Sequence, residues 1–146
     1  MAAFHQGLFA DDDGASGIGF ATSADRGRTW TGGSLPGITS STGGRYSRVA
    51  FPSVGYDRKH RAWLIASIAG LCGTSDCSNL PAEMAVLVSR STDGGRTWSE
   101  PVTVTRASNP VTLDRPEIRC DTTTTSRYYG HCYIELECHN NAGGSK

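Results

Sequence analysis

Apolar and polar side chains alternate with a period of two along most of this chain, in short runs separated by Gly, Pro, Asn and Asp. Ile18, Phe20 and Thr22 share one side of a segment, while farther on Ala85, Leu87 and Ser89 point one way and Val86, Val88 and Arg90 the other. That period belongs to a strand, whose successive side chains leave opposite faces of a sheet. The alternation predicts strands at Phe51–Tyr56, Ala62–Ala69, Met84–Arg90 and Trp98–Thr105, with a turn at Asp57-Arg58-Lys59-His60 between the first two. Ile118 marks a further strand, and Tyr133, Ile134 and Leu136 another. The Ser- and Thr-rich stretches Thr39–Thr42 and Thr122–Ser126 read as loops. The fold class is all-β.

Two of the turns carry the same text. Ser23-Ala24-Asp25-Arg26-Gly27-Arg28-Thr29-Trp30 and Ser91-Thr92-Asp93-Gly94-Gly95-Arg96-Thr97-Trp98 share the pattern S-x-D-x-G-x-T-W, which marks a structural repeat. Each residue type has a local reason. The carboxylates of Asp25 and Asp93 accept hydrogen bonds from backbone amides just after them. Gly27 and Gly95 supply the positive φ of a tight reversal. Thr29 and Thr97 open the next strand with a β-branched side chain, and Trp30 and Trp98 fold down as anchors. Full burial would stabilise each indole by roughly 2–3 kcal/mol.

These octapeptides resemble the Asp-box (BNR) repeat of sialidases and related β-propellers, in which each copy forms the turn between the third and fourth strands of a blade. Gly17–Ser23 and Phe51–Asp57 are similar to text in bacterial exo-α-sialidase-like proteins. The resemblance implies a sialidase-type β-propeller of which about two and a half four-stranded blades are present. On it, 1–36 supplies the last three strands of one blade, 48–106 a complete blade and 114–138 the start of a third, all within one domain spanning 1–146. A propeller closes with about four to eight blades. The chain is therefore expected to be a fragment that needs the remaining blades, or self-association, to cover its sheets. The alternative architecture is a compact β-sandwich of about nine strands.

The resemblance also implies an activity. Sialidases grip the substrate carboxylate with three arginines, attack with a Tyr assisted by a Glu, and use an Asp as acid/base. A phenol suits an anomeric carbon that bears a carboxylate, since it avoids charge repulsion with the nucleophile. Arg48 before one inner strand, and Asp114, Arg115 and Glu117 opening the corresponding strand of the next blade, are the residues placed to qualify. Against them stands a plain surface reading: Arg115 and Glu117 as an ion pair, Arg48 as a solvated loop residue. The family's Arg-Ile-Pro motif is not matched by Arg48-Val49-Ala50-Phe51-Pro52, which has two extra residues, so the catalytic Arg is not carried over to Arg48. Tyr128, Tyr129 and Tyr133 match no nucleophile. Two functions follow: part of a glycoside hydrolase cleaving terminal sialic acid or a related sugar, or a non-catalytic propeller binding carbohydrate or protein.

Composition narrows the partners. The 146 residues include 18 Gly, and Lys plus Arg balance Asp plus Glu at 14 each, leaving no basic footprint for nucleic acid. No apolar run approaches the ~18 residues of a membrane span. Met1–Gln6 lacks both the basic and the apolar parts of a signal peptide. Of five cysteines, Cys72 with Cys77 and Cys120 with Cys132 are spaced to staple local loops, which points to an oxidising, extracellular setting. Reduced thiols are the alternative. A zinc set of Cys120, Cys132, Cys138 and His139 matches no standard finger spacing. Asp11-Asp12-Asp13-Gly14 lacks the alternating ligands of a calcium loop. No metal or cofactor is expected, and the expected ligand is a carbohydrate or glycoconjugate.

Overall fold

The computed structural model describes residues 1–10, 14–72 and 81–142. Nine strands run through them: β1 (Ala2–Leu8), β2 (Ala15–Thr22), β3 (Thr31–Ser34), β4 (Arg48–Asp57), β5 (Ala62–Leu71), β6 (Glu83–Ser91), β7 (Val102–Ser108), β8 (Val111–Cys120) and β9 (Cys132–Asn140). Every strand pairing is antiparallel. β4-β5-β6-β7 form a meander, β1 and β3 flank β2, and β8–β9 stand apart as a hairpin. β2 meets β4 only where Ala15 pairs with Val49.

Alternation decides how these three groups stack. Ile65 and Ala69 of β5, with Ala85 and Leu87 of β6, bury against Ile18 and Phe20 of β2. The intervening positions, Ile68 of β5 and Val86 of β6, bury against Leu113 of β8, with Ile134 and Leu136 of β9 packed alongside. The central meander is thus covered on both faces, on one by the β2 group, which remains joined to β4 at Ala15–Val49, and on the other by the separate β8–β9 hairpin. Each buried Ile, Leu or Val contributes roughly 1.5–3 kcal/mol relative to exposure.

The segment from Leu35 to Tyr46 closes one side of the first interface. Leu35, Ile38 and Tyr46 are buried there. Thr39, read from sequence as loop, precedes a short 3₁₀ turn (Ser40–Thr42) and gives its hydroxyl to the Ser16 carbonyl. Polar residues are buried here because the backbone of β2 supplies acceptors, which periodicity alone does not reveal.

Strand limits shift for physical reasons. β7 starts at Val102 rather than Trp98, because Trp98 is spent on the turn and Ser99 N donates to Arg90 O at 2.9 Å. β4 and β8 begin earlier than expected, each running through a bulge, between Ala50 and Ser53 and between Asp114 and Glu117. Cys120 and Cys132 are joined at the turn end of the β8–β9 hairpin. Cys72 is also disulfide-bonded; Cys77, its expected partner, and Asp11–Asp13 lie outside the described residues. Among the described residues no helix is long and apolar enough to cross a membrane.

Candidate functional site

The two bulges are copies of each other. Ala50-Phe51-Pro52-Ser53 and Asp114-Arg115-Pro116-Glu117 each place a residue of positive φ, Phe51 at 52° and Arg115 at 45°, immediately before a proline. A bulge turns a side chain away from the strand's ordinary alternation, and a left-handed conformation outside glycine has to be held by its surroundings. Here the surroundings are mutual. Ile118 N donates to Ser53 Oγ at 3.1 Å, locking β8 against β4, and a Cβ added at Gly55 would stand 3.2 Å from Ile118 Cγ2. The result is a cleft of about 350 Å³ lined by Phe51, Pro52, Ser53, Arg115, Pro116 and Glu117.

Arg115 and Glu117 both face this cleft, yet they do not pair with each other. The Arg115 guanidinium lies 3.6 Å from Glu137 on β9, and Glu117 contacts Arg119. Both arginines are well exposed, so these pairs contribute little to stability and yield easily to a ligand. Asp114 turns the other way. Its Oδ1 accepts the Arg115 N–H at 2.9 Å, and it lines a second, mostly apolar cavity of about 320 Å³ with Arg48, Leu113, Met84 and His139. Arg48, expected in a loop, lies in β4, half-buried, with its guanidinium carbon 5.2 Å above the Phe9 ring. The four candidates therefore line two adjoining cavities at one end of the sheets.

Sequence reading missed the contribution of β9. Asp114, Glu137 and His139 hold donor atoms within 4.8 Å of one another, a set able to take a cation, although Arg115 competes for Glu137. It also missed that Phe51 and Ser53 build one wall. The recurrent x-Pro step near the starts of β4 and β8 was the available signal.

A Tyr–Glu contact occurs elsewhere. Tyr46 Oη donates to Glu83 Oε1 at 3.4 Å, between Arg45 and Arg106. Burial pushes the phenol pKa up, and with the residue only 4% exposed the contact reads as packing.

The octapeptide turns lie at the opposite end of the sheets. Asp25 accepts Thr29 N at 2.8 Å and Thr29 Oγ1 at 2.7 Å; Asp93 accepts Thr97 N at 3.0 Å and Thr97 Oγ1 at 2.7 Å. Ser23 Oγ and Ser91 Oγ receive the Gly27 and Gly95 amides at 2.7 and 2.9 Å, and both glycines have positive φ, 87° and 85°. The Thr29 backbone bond, then its hydroxyl, lowers the Asp25 pKa from 3.8 to about 2, and the same bonds from Thr97 lower Asp93 further. The indoles differ. Trp98 packs on Phe20, ring centroids 5.5 Å apart, whereas Trp30 is 52% exposed despite donating to Gly27 O. The expectation that both anchor by burial is corrected for Trp30: the described chain sets no sheet against it, as β2 is set against Trp98.

No protein-family model matches the chain, and no curated protein matches it. Among solved structures it is similar to the Hadza microbial sialidase Hz136, with a TM-score of 0.52 and 20% identity, over 71% of this chain and 24% of that one. The fold is therefore a sialidase-like all-β fold. The match spans about a quarter of the larger protein.

Proposed function

We propose that this chain is part of an extracellular β-propeller of the sialidase superfamily, and that the paired proline bulges form one sector of its carbohydrate-binding mouth. On this reading the octapeptides are Asp boxes, and 1–36, 48–106 and 114–138 are the last strands of one blade, a complete blade and the start of a third. The observation that carries it is the juxtaposition of Arg115 and Glu117 with Phe51 and Ser53 across adjacent inner strands. An exposed guanidinium beside an apolar ring and a hydroxyl suits a sugar that bears a carboxylate. Arg115 exchanges Glu137 for that carboxylate, and Glu117 and Ser53 address sugar hydroxyls. Asp114 positions Arg115 through its backbone amide.

A second reading is a non-catalytic propeller that binds but does not cleave; it asks of this cleft only the described lining residues, Phe51, Pro52, Ser53, Arg115, Pro116 and Glu117, and no nucleophile. Saturation-transfer NMR with sialyllactose tests the shared part. Transfer to the sialic acid ring is expected and should vanish in Arg115→Ala; no transfer to the unsubstituted chain would reject the site. Release of a fluorescent phenol from its sialoside by the full-length gene product then separates hydrolase from scaffold.

A further inference from the structure

A third cavity, a groove of about 610 Å³, opens at the octapeptide end of the central meander, away from the proline bulges. Its floor is an aromatic pair. Tyr56 at the end of β4 and Trp63 at the start of β5 are direct cross-strand partners, with ring centroids 4.6 Å apart and Tyr56 36% exposed. Its walls come from two turns. One is the β4–β5 turn, which carries His60 and Arg61; the other is the second octapeptide turn, which carries Asp93 and Arg96.

Both turns are fixed independently of any ligand. The buried Asp57 carboxylate accepts His60 N at 3.1 Å and lies 2.6 Å from His60 Nδ1. Arg61 follows at φ 52°, which sets the direction of its side chain. Opposite, Asp93 accepts the Arg96 amide at 2.9 Å. Asp93 brings negative charge to the groove, but its oxygens are already taken by Ser91, Arg96 and Thr97. Among the described residues neither the Arg61 nor the Arg96 guanidinium has an ion-pair partner. Two exposed cations, Arg61 and Arg96, lining a groove with an aromatic floor suit a ring with one apolar face and an anionic substituent.

We infer that this groove is a second binding site for an acidic saccharide, with the sugar face on Tyr56 and Trp63 and its anionic group between Arg61 and Arg96. The anion follows from the groove itself; the sugar rests on the carbohydrate reading given above.

Titration of the ¹⁵N-labelled chain, followed at the Trp63 indole N–H, tests this. The probes are a galacturonate oligomer, a sulfated oligosaccharide, a neutral cello-oligosaccharide and inorganic sulfate. The two acidic saccharides should shift the Trp63 signal, and the doubly substituted Arg61→Gln/Arg96→Gln chain should bind at least tenfold more weakly. The Trp63 signal reports on this groove and not on the bulge cleft, whose lining does not include Trp63, so a failed bulge site does not disturb the result. Preference for one acidic saccharide identifies carboxylate or sulfate as the recognised group. No shift with either acidic saccharide, equal affinity for the neutral sugar, or unaltered affinity in the double variant with its spectrum otherwise intact would overturn the inference. Sulfate binding as tightly as the saccharides would overturn the sugar half of it.

Discussion

Asp25 shows how much one carboxylate organises in a turn that is otherwise solvent. It takes a backbone amide and a hydroxyl from Thr29 and a hydroxyl from Ser23, and these bonds hold its pKa at about 2 against an ordinary 3.8. A group whose folded pKa is depressed stabilises the fold above its unfolded value and loses that stabilisation as pH falls through the folded one. The relevant window therefore runs from 3.8 down to about 2. Urea unfolding of the native chain and of Asp25→Asn should differ clearly at about pH 5 and converge toward about pH 2. A difference that stays constant across that window would mean the ionised form of Asp25 is not what the turn relies on.

At the scale of elements, the contact of β8 with β4 sets the bulge cleft, and Gly55 lies within it. A methyl group there would stand 3.2 and 3.3 Å from two carbons of Ile118 and 3.6 Å from Cys120 Sγ. Overpacking of this kind costs about 1–3 kcal/mol. Gly55→Ala should lower the thermal midpoint accordingly and broaden or shift the Arg115 side-chain signals; an unchanged midpoint would show that the hairpin slides without cost. The same contact separates what could be read in the text from what could not. The octapeptide turns were legible because Asp25, Gly27 and Thr29 act within a few residues of one another. The two faces of β6 were legible because Ala85 and Leu87 alternate strictly with Val86 and Val88. The cleft was not, since it needs Phe51 and Arg115 brought side by side from strands far apart in sequence, and a proline after each residue is ambiguous until the pairing is known. Thr39 escaped for a related reason: its acceptor, the Ser16 carbonyl, belongs to another strand.

For the whole molecule, the three groups of strands stack in one direction. The β2 side chains Ile18 and Phe20 cover the central meander and Trp98 in the turn between β6 and β7, as Ile68 and Val86 of that meander cover β8 and β9. The meander thus has one face toward the β2 group and the other toward the β8–β9 hairpin, and of the two octapeptide tryptophans Trp98 is the one covered by a preceding group. The two tryptophans, identical in local sequence, should therefore carry unequal weight. Trp98 meets Phe20 in a tilted ring contact and is only partly exposed; loss of such an aromatic side chain costs about 3 kcal/mol or more. Trp30, 52% exposed, has little packing to lose, and Trp30→Ala should cost under about 1 kcal/mol. Chemical denaturation of Trp98→Ala and Trp30→Ala measures both. Equal costs would mean that the turn itself, rather than the neighbouring layer, sets the value of the indole, and the directional stack would lose its main energetic support. A Trp30 cost rising with protein concentration would instead place a second sheet over that face in solution.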